Sequence, residues 1–459
     1  MITGDDYLKS LDDGRVLHID GRRIDDVVTD PLTRVPAASV AAGYDAVAAG
    51  LPPFDRPLLA PPTTPLELRA AVDALTHVDM LAHTTFTSAM SLRTVAPALD
   101  RLDPVSGERA RSHVDRLADE GLRVATCITD AKGDRSRHPG EQGDPESYLA
   151  VVDRTSDGVV LRGAKLHITG AALAHELFVM PTKKMRAGEE RFAVACAVPV
   201  NAPGVTILNT SYQFRGADDR SHPISSRRQM PEGFVVFDDV FVPWDRVFLD
   251  GQVEMSARFA HAIGLWERLG SIADMAHDAD LMVGLAQLAA EANGLTRVEH
   301  VRQKISEIVI YATLVRSGLE AAIANTASTS DGNLVPDELF TNAAKYHGAA
   351  EFGLMARHLI DIAGGAVATA PAIADLESPE TGAYVRRYMA GSPGFGGEDR
   401  LRVLHAVRDF VADSYGGWRA VTTLHGGGGL HAQRLVARFH YPMAEALALA
   451  RDAAGLSPA

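Results

Sequence analysis

The chain has 459 residues, 46% of them apolar, enough to bury a core spread over two or three packed units. Its formal net charge is −14 and no Lys/Arg-rich run stands out, which excludes the electrostatic footprint of a nucleic-acid or anionic-membrane binder. No basic start leads into an apolar stretch, and no run reaches the roughly 18 apolar residues of a membrane span, so a cytoplasmic chain is expected.

Residues 1–35 are polar and rich in turn formers, with short strand-like pieces such as Arg15 to Ile19. Residues 65–122 have helical periodicity, with Leu66, Leu68, Ala71, Val72 and Leu75 at helical spacing and a second amphipathic stretch from Arg111 to Leu122. Near residue 123 the pattern changes to short β-branched runs broken by Gly, Pro or Asp, at 123–128, 149–153, 158–162, 177–180, 192–198, 205–208 and 234–237. That spacing predicts a small antiparallel barrel or sandwich. From about 252 the chain is Ala- and Leu-rich, and helices are expected at 253–293, 297–327, 336–363, 398–413 and 431–454. The sequence thus divides into a mostly helical unit (1–122), a β unit (123–251) and a helical bundle (252–459), with a cleft between them suited to a flat ligand.

The two cysteines, Cys127 and Cys196, cannot form a disulfide framework or supply four thiolates to an iron–sulfur cluster, and their neighbours read as buried strand. No Gly-x-Gly-x-x-Gly follows a strand, and there is no Walker A loop, Gly-x-Ser-x-Gly elbow or His-Glu-x-x-His. His77 with His83, and His277 with Asp278 and Asp280, lack further ligands at metal spacing; they read as partly exposed helix-face residues, and no metal site is expected.

Three segments combine charge, Gly and Thr in ways a core does not require. In Ile128-Thr-Asp-Ala-Lys-Gly-Asp-Arg135, Gly133 permits a tight turn while Lys132 and Arg135 add donors, either as a solvated loop or as a cradle for an anionic or hydrogen-bond-accepting ring. In Gly163-Ala-Lys-Leu-His-Ile-Thr-Gly170, Thr169 is either an ordinary strand residue or a hydroxyl offered to a ligand edge. Ser414-Tyr-Gly-Gly-Trp418 and His425-Gly-Gly-Gly-Gly429 place costly glycines in a helical region, as a close approach to a ligand or subunit or as a flexible connector.

Together these segments resemble the 4-hydroxyphenylacetate 3-hydroxylase / 4-hydroxybutyryl-CoA dehydratase superfamily along essentially the whole chain. Thr129 to Arg135, Arg162 to Gly170, Ile362 to Gly365 and Leu424 to Arg434 look like the dehydratase branch; His222-Pro-Ile-Ser-Ser-Arg227 looks like the hydroxylases, and Val235 to Leu249 fits both. The resemblance implies an acyl-CoA dehydrogenase-like fold, mainly α with a central antiparallel β-barrel, and FAD as cofactor. It places flavin contacts on Thr126 to Ile128, on Lys132, Gly133, Asp134 and Arg135, on His167, Thr169 and Gly170, and on Tyr415, Gly416, Gly417 and Trp418. Thr169 falls where the family sets a Thr beside the flavin N5, a catalytic position.

Departures from the family narrow the chemistry. The dehydratase cluster ligands align with Thr85, Ala89, Glu267 and Asp274, so all four are replaced and cluster-dependent dehydration is not expected. The hydroxylases' phenol-binding Arg-x-x-x-Tyr pair is absent between Phe86 and Val95, and their His before the flavin loop is Thr126, so simple 4-hydroxyphenylacetate is a doubtful substrate. Glu267 is the candidate general base: pointing into the cleft, its pKa would rise by desolvation, whereas on a solvated helix face it would be inert. The resemblance implies a two-component monooxygenase that takes reduced FAD from a separate reductase, uses O₂ and hydroxylates a phenolic or otherwise activated small molecule. The alternative is a cluster-free FAD isomerase or dehydratase of an acyl-thioester. A homotetramer is expected, because the helices at 297–327 and 336–363 exceed what one core needs.

Overall fold

The computed structural model describes residues 2–50, 58–210, 219–228 and 230–457. The chain begins with a short helix, Gly4–Ser10, closed by a reciprocal Thr3/Asp6 capping box. The Tyr7 side chain of this helix is buried, and its hydroxyl donates to the Leu173 carbonyl at 2.9 Å, which ties the N-terminus to the β region. A helix at Arg34–Ala48, not foreseen from the sequence, buries Pro36, Val40 and Tyr44. The stretch 65–122 resolves into three helices, Pro65–Leu75, Met80–Asp100 and Pro104–Asp119, each started by a side-chain cap from Thr64, Asp79 or Asp103.

Among the described residues ten strands make up the β region: β1 (Leu17–Ile19), β2 (Arg22–Ile24), β3 (Val124–Cys127), β4 (Ala150–Arg154), β5 (Gly158–Thr169), β6 (Glu176–Val179), β7 (Val194–Pro199), β8 (Val205–Asn209), β9 (Glu232–Pro243) and β10 (Val247–Asp250). Among the described residues they form no closed barrel. A six-stranded sheet in the order β2-β1-β8-β9-β5-β4 and a four-stranded sheet in the order β10-β7-β6-β3 share one apolar core. The expected antiparallel pattern fails at two places, since β1 runs parallel to β8 and β3 parallel to β6. Both pairings join segments far apart in sequence, which local hairpin spacing does not encode. Cys127 and Cys196 are free and fully buried between the sheets, as expected.

The C-terminal bundle is built on one 40-residue helix, Val253–Ala292, about 60 Å long. It is apolar nearly all round because other helices surround it, among them Glu299–Ala324 and Glu338–Ala363. The segment expected as one helix at 431–454 is two, Leu430–His440 and Met443–Ala453, interrupted at Tyr441-Pro442 because Pro cannot continue a helical ladder. Ser414–His425 is also helical, started by Asp413. The glycine run after it forms the turn into Leu430–His440, with Gly427 and Gly428 at φ 67° and 95°. Two buried basic side chains seat that turn: Arg268 donates to the Gly427 carbonyl, and Lys345 to the Thr423 carbonyl at the end of the helix.

Candidate functional site

The long strands β5 and β9 carry the centre of the site. Their register sets Thr169 opposite Glu232, so the two side chains share a face. The Thr169 hydroxyl donates to the Glu232 carboxyl at 2.8 Å, and the Trp418 indole N–H, from the helix Ser414–His425, donates to the same group at 3.1 Å. Burial pushes the Glu232 carboxyl up to about 7, although both hydrogen bonds work against the rise. Two residues from separate segments of the sequence, Thr169 and Trp418, are thus joined through a carboxyl that sequence reasoning missed. Its only sequence signal is an acidic residue opening an apolar strand; the rest is register.

A second group forms at the loop end of these strands. The bulge between Leu166 and Ile168 puts His167 at φ 58°, and Lys132 stands at φ 65°, conformations uncommon for non-glycine residues. Burial lowers the His167 pKa, and its neighbours Lys132, Arg135 and His425 lower it further. Lys132 is lowered by burial and by Arg135. Arg135 itself is exposed. The loop is not merely a solvated turn, because Asp130 and Lys165 form a salt bridge at 2.8 Å with both side chains 2% exposed. That pair locks Thr129–Arg135 to Arg162–Gly170. Gly133, at φ 47°, leaves room for the Gln142 amide. Asp134 spends its carboxylate on Ser136 within the turn.

The remaining expected contacts fall around these two groups. Thr126 exchanges a hydrogen bond with Ser88 at 2.8 Å, and Ile128 packs against the main core. Gly170, at φ 71°, lets Leu81 and Met230 close in where any Cβ would collide. Tyr415 is buried with its ring 5.4 Å from that of Trp418. Gly416 lies against the Val411 backbone, whereas Gly417 faces open space.

A cavity of about 130 Å³ adjoins Trp418 and is also lined by Tyr415, Arg228, Arg419, His83 and Asp274. His83 corrects an expectation: the imidazole is buried, not partly exposed on a helix face. It lies over Gly270, where a Cβ would come within 2.3 Å of its Cε1. Glu267 and Asp274 flank it one turn to either side, 3.7 Å from Nε2 and 3.8 Å from Nδ1. Burial opposes charge on this ring, but the two carboxylates outweigh it and hold His83 at about 9. Glu267 also departs from expectation. Burial would raise its pKa, but His83 and the Thr87 hydroxyl hold it below the usual range, which pairs it with the His83 ring. The upward shift expected of Glu267 belongs to Glu232 and, through burial, to Asp274. The two acidic residues that the resemblance aligns with cluster ligands therefore embrace an imidazolium instead.

The basic residues Lys132 and Arg135, the Thr169–Glu232–Trp418 unit and the adjoining cavity fit a flavin with an anionic tail: positive charge for phosphates, polar groups for a ring edge, and a partly open space beside them. Comparison with known proteins agrees. Residues 3–249 match the family model described as 4-hydroxyphenylacetate 3-hydroxylase N terminal, and residues 256–455 match its C-terminal counterpart. The chain is 31% identical to 4-hydroxybutyryl-CoA dehydratase/vinylacetyl-CoA-Delta-isomerase of Clostridium aminobutyricum, over 70% of this chain and 68% of that one. It is 29% identical to the 4-hydroxyphenylacetate 3-monooxygenase oxygenase component of Thermus thermophilus, over 67% of this chain and 64% of that one. An oxygenase component of 4-hydroxyphenylacetate 3-monooxygenase, solved in complex with FAD, superimposes with a TM-score of 0.88 over 99% of both chains; at 24% identity this shows a shared fold.

Proposed function

Because the chain belongs to the 4-hydroxyphenylacetate 3-hydroxylase family, we propose that it is the oxygenase component of a two-component, FADH2-dependent monooxygenase. It takes reduced FAD from a separate reductase and hydroxylates a phenolic or otherwise activated small molecule. The carrying observation is the convergence of Lys132, Arg135, His167 and His425 beside the Thr169–Glu232–Trp418 unit and its cavity. Reduced flavin, when bound, supplies the electrons that activate O₂. Lys132 and Arg135 would supply positive charge to the cofactor, and His167 would offer it a neutral ring N–H. Thr169, with Glu232 behind it, presents a hydroxyl to the ring, and Tyr415 and Trp418 wall the cavity against water. The chain reads as units 1–122, 123–251 and 252–459, with this site where they meet. The test is O₂ uptake by the chain with FAD, NADH and a flavin reductase: uptake coupled to hydroxylation of a phenol in a substrate panel is expected. The reading fails if no substrate in the panel is hydroxylated while turnover proceeds without O₂.

One observation favours the second reading, a cluster-free isomerase or dehydratase of an acyl-thioester. A Glu232 carboxyl that titrates near 7 can take and return a proton at neutral pH. Anaerobic turnover of an unsaturated acyl-thioester with FAD left oxidised would select it.

The working assembly is a homotetramer. The helix Met443–Ala453 has no buried residue, and Leu435, Phe439, Leu447 and Leu449 stand 57%, 84%, 56% and 73% exposed, a patch that a second copy would cover. Sedimentation as a stable monomer at micromolar concentration would refute this. No helix among the described residues is long and apolar enough to cross a membrane, which is compatible with the cytoplasmic location we assign.

A further inference from the structure

Apart from the residues assigned to the flavin, three helices meet at the surface. His261 comes from Val253–Ala292, Glu338 from the first turn of Glu338–Ala363, and His440 from the end of Leu430–His440. His261 Nε2 lies 2.5 Å from Glu338 Oε1, and His440 Nε2 lies 4.0 Å from Glu338 Oε2. One ligand atom from each of the three residues falls within 4.8 Å of the others. A lone His–Glu hydrogen bond would account for His261 and Oε1. It leaves the second imidazole turned toward the same carboxylate, and Oε2 buried with no hydrogen-bond partner. A buried carboxylate oxygen without a donor is costly, and a cation held between the two imidazoles and this oxygen removes that cost.

We propose that His261, Glu338 and His440 form a site for a divalent transition-metal ion of the zinc type. Two imidazoles and one carboxylate are the donors that such ions take at about 2.0–2.2 Å, with solvent completing the shell. Hard calcium or magnesium ions instead call for an all-oxygen set. Ligand atoms around a tetrahedral ion stand about 3.3 Å apart at those bond lengths, so side-chain rotations of His261 and His440 suffice to close the set. The two histidines are the more exposed members, at 44% and 34%, which leaves solvent access to the ion. The site sits where Leu430–His440 packs along Glu338–Ala363; within the chain that helix buries only Gln433, and it leads into the helix that buries nothing. Metal here ties the C-terminal helices to the bundle.

The test uses the full chain loaded with FAD, dialysed against a chelator, then titrated with zinc by calorimetry and with cobalt by visible absorption. One equivalent of zinc per chain and a cobalt band displaced by zinc are expected. His261→Asn, Glu338→Gln and His440→Asn should each weaken zinc binding by at least about tenfold, the lower limit for losing even a residue behind a ligand. Zinc should raise the Tm of the parent and leave that of His440→Asn unchanged, with circular dichroism reporting that each variant is folded. Absence of stoichiometric binding, or parent-like affinity in both Glu338→Gln and His440→Asn, overturns the proposal.

Discussion

The Glu232 carboxyl offers a sharp test of how the site is built. Its ordinary pKa is 4.5, and burial raises it to about 7 in the folded chain. Below pH 4.5 the folded and unfolded chains both carry the proton, and this residue adds no pH dependence. Between 4.5 and 7 the unfolded chain releases it while the folded chain keeps it, so stability falls as pH rises. Above 7 the loss is complete. A shift of this size at about 1.4 kcal/mol per unit amounts to about 3 kcal/mol. Glu232→Gln keeps the shape and an oxygen to accept from Thr169 and Trp418, but cannot ionise. The variant should match the parent below pH 4.5 and be more stable than it by up to about 3 kcal/mol at pH 8.5. Urea unfolding of the FAD-free chains, followed by circular dichroism across that range, measures the difference, and titrations common to both proteins cancel. Parallel profiles would show that Glu232 is not desolvated and that the Thr169–Glu232–Trp418 unit is solvated.

Three further outcomes follow from the same geometry. Arg135→Ala should weaken FAD binding roughly ten- to a hundredfold by removing a charge-assisted contact, while Thr169→Val should bind FAD nearly as well and lose turnover; fluorescence titration set against steady-state rates separates them. Lys165→Met leaves Asp130 buried without its partner and should cost about 3–5 kcal/mol in denaturant unfolding; a loss under 1 kcal/mol would mean that the two motif loops are held together otherwise. Gly270→Ala should drive the His83 ring off the helix and cost about 1–3 kcal/mol. An unchanged unfolding midpoint would show that the ring has room to move.

Glu267 shows how far a helix-face residue can be read without its neighbours. Spacing puts it on a face of the long helix, but its role depends on His83, which approaches from a helix nearly two hundred residues earlier and is held in charged form by Glu267 and Asp274 together. Charge on a buried group is set by what surrounds it, and the sequence does not state what surrounds it.

What the sequence determined by itself was the local and the periodic. The Ala- and Leu-rich run at 253–293, ended by Asn293-Gly294, marks Val253–Ala292 within a residue because helix-forming composition and its breaker are local to the chain. The β-branched runs at 123–128, 177–180 and 205–208 fall on β3, β6 and β8 because branched side chains favour extended backbone. The motifs at Thr129–Arg135 and Arg162–Gly170 were visible as motifs, yet that Asp130 and Lys165 bind them together was not. Tertiary structure alone decided the parallel pairing of β1 with β8 and the division of the strands into two sheets where a barrel was expected. It also decided the register that brings Glu232 to Thr169, and the approach of His83 to Gly270. Each is a contact between segments distant in sequence, chosen by packing and by the loss of water around charge, and neither force leaves a periodic trace in the order of residues.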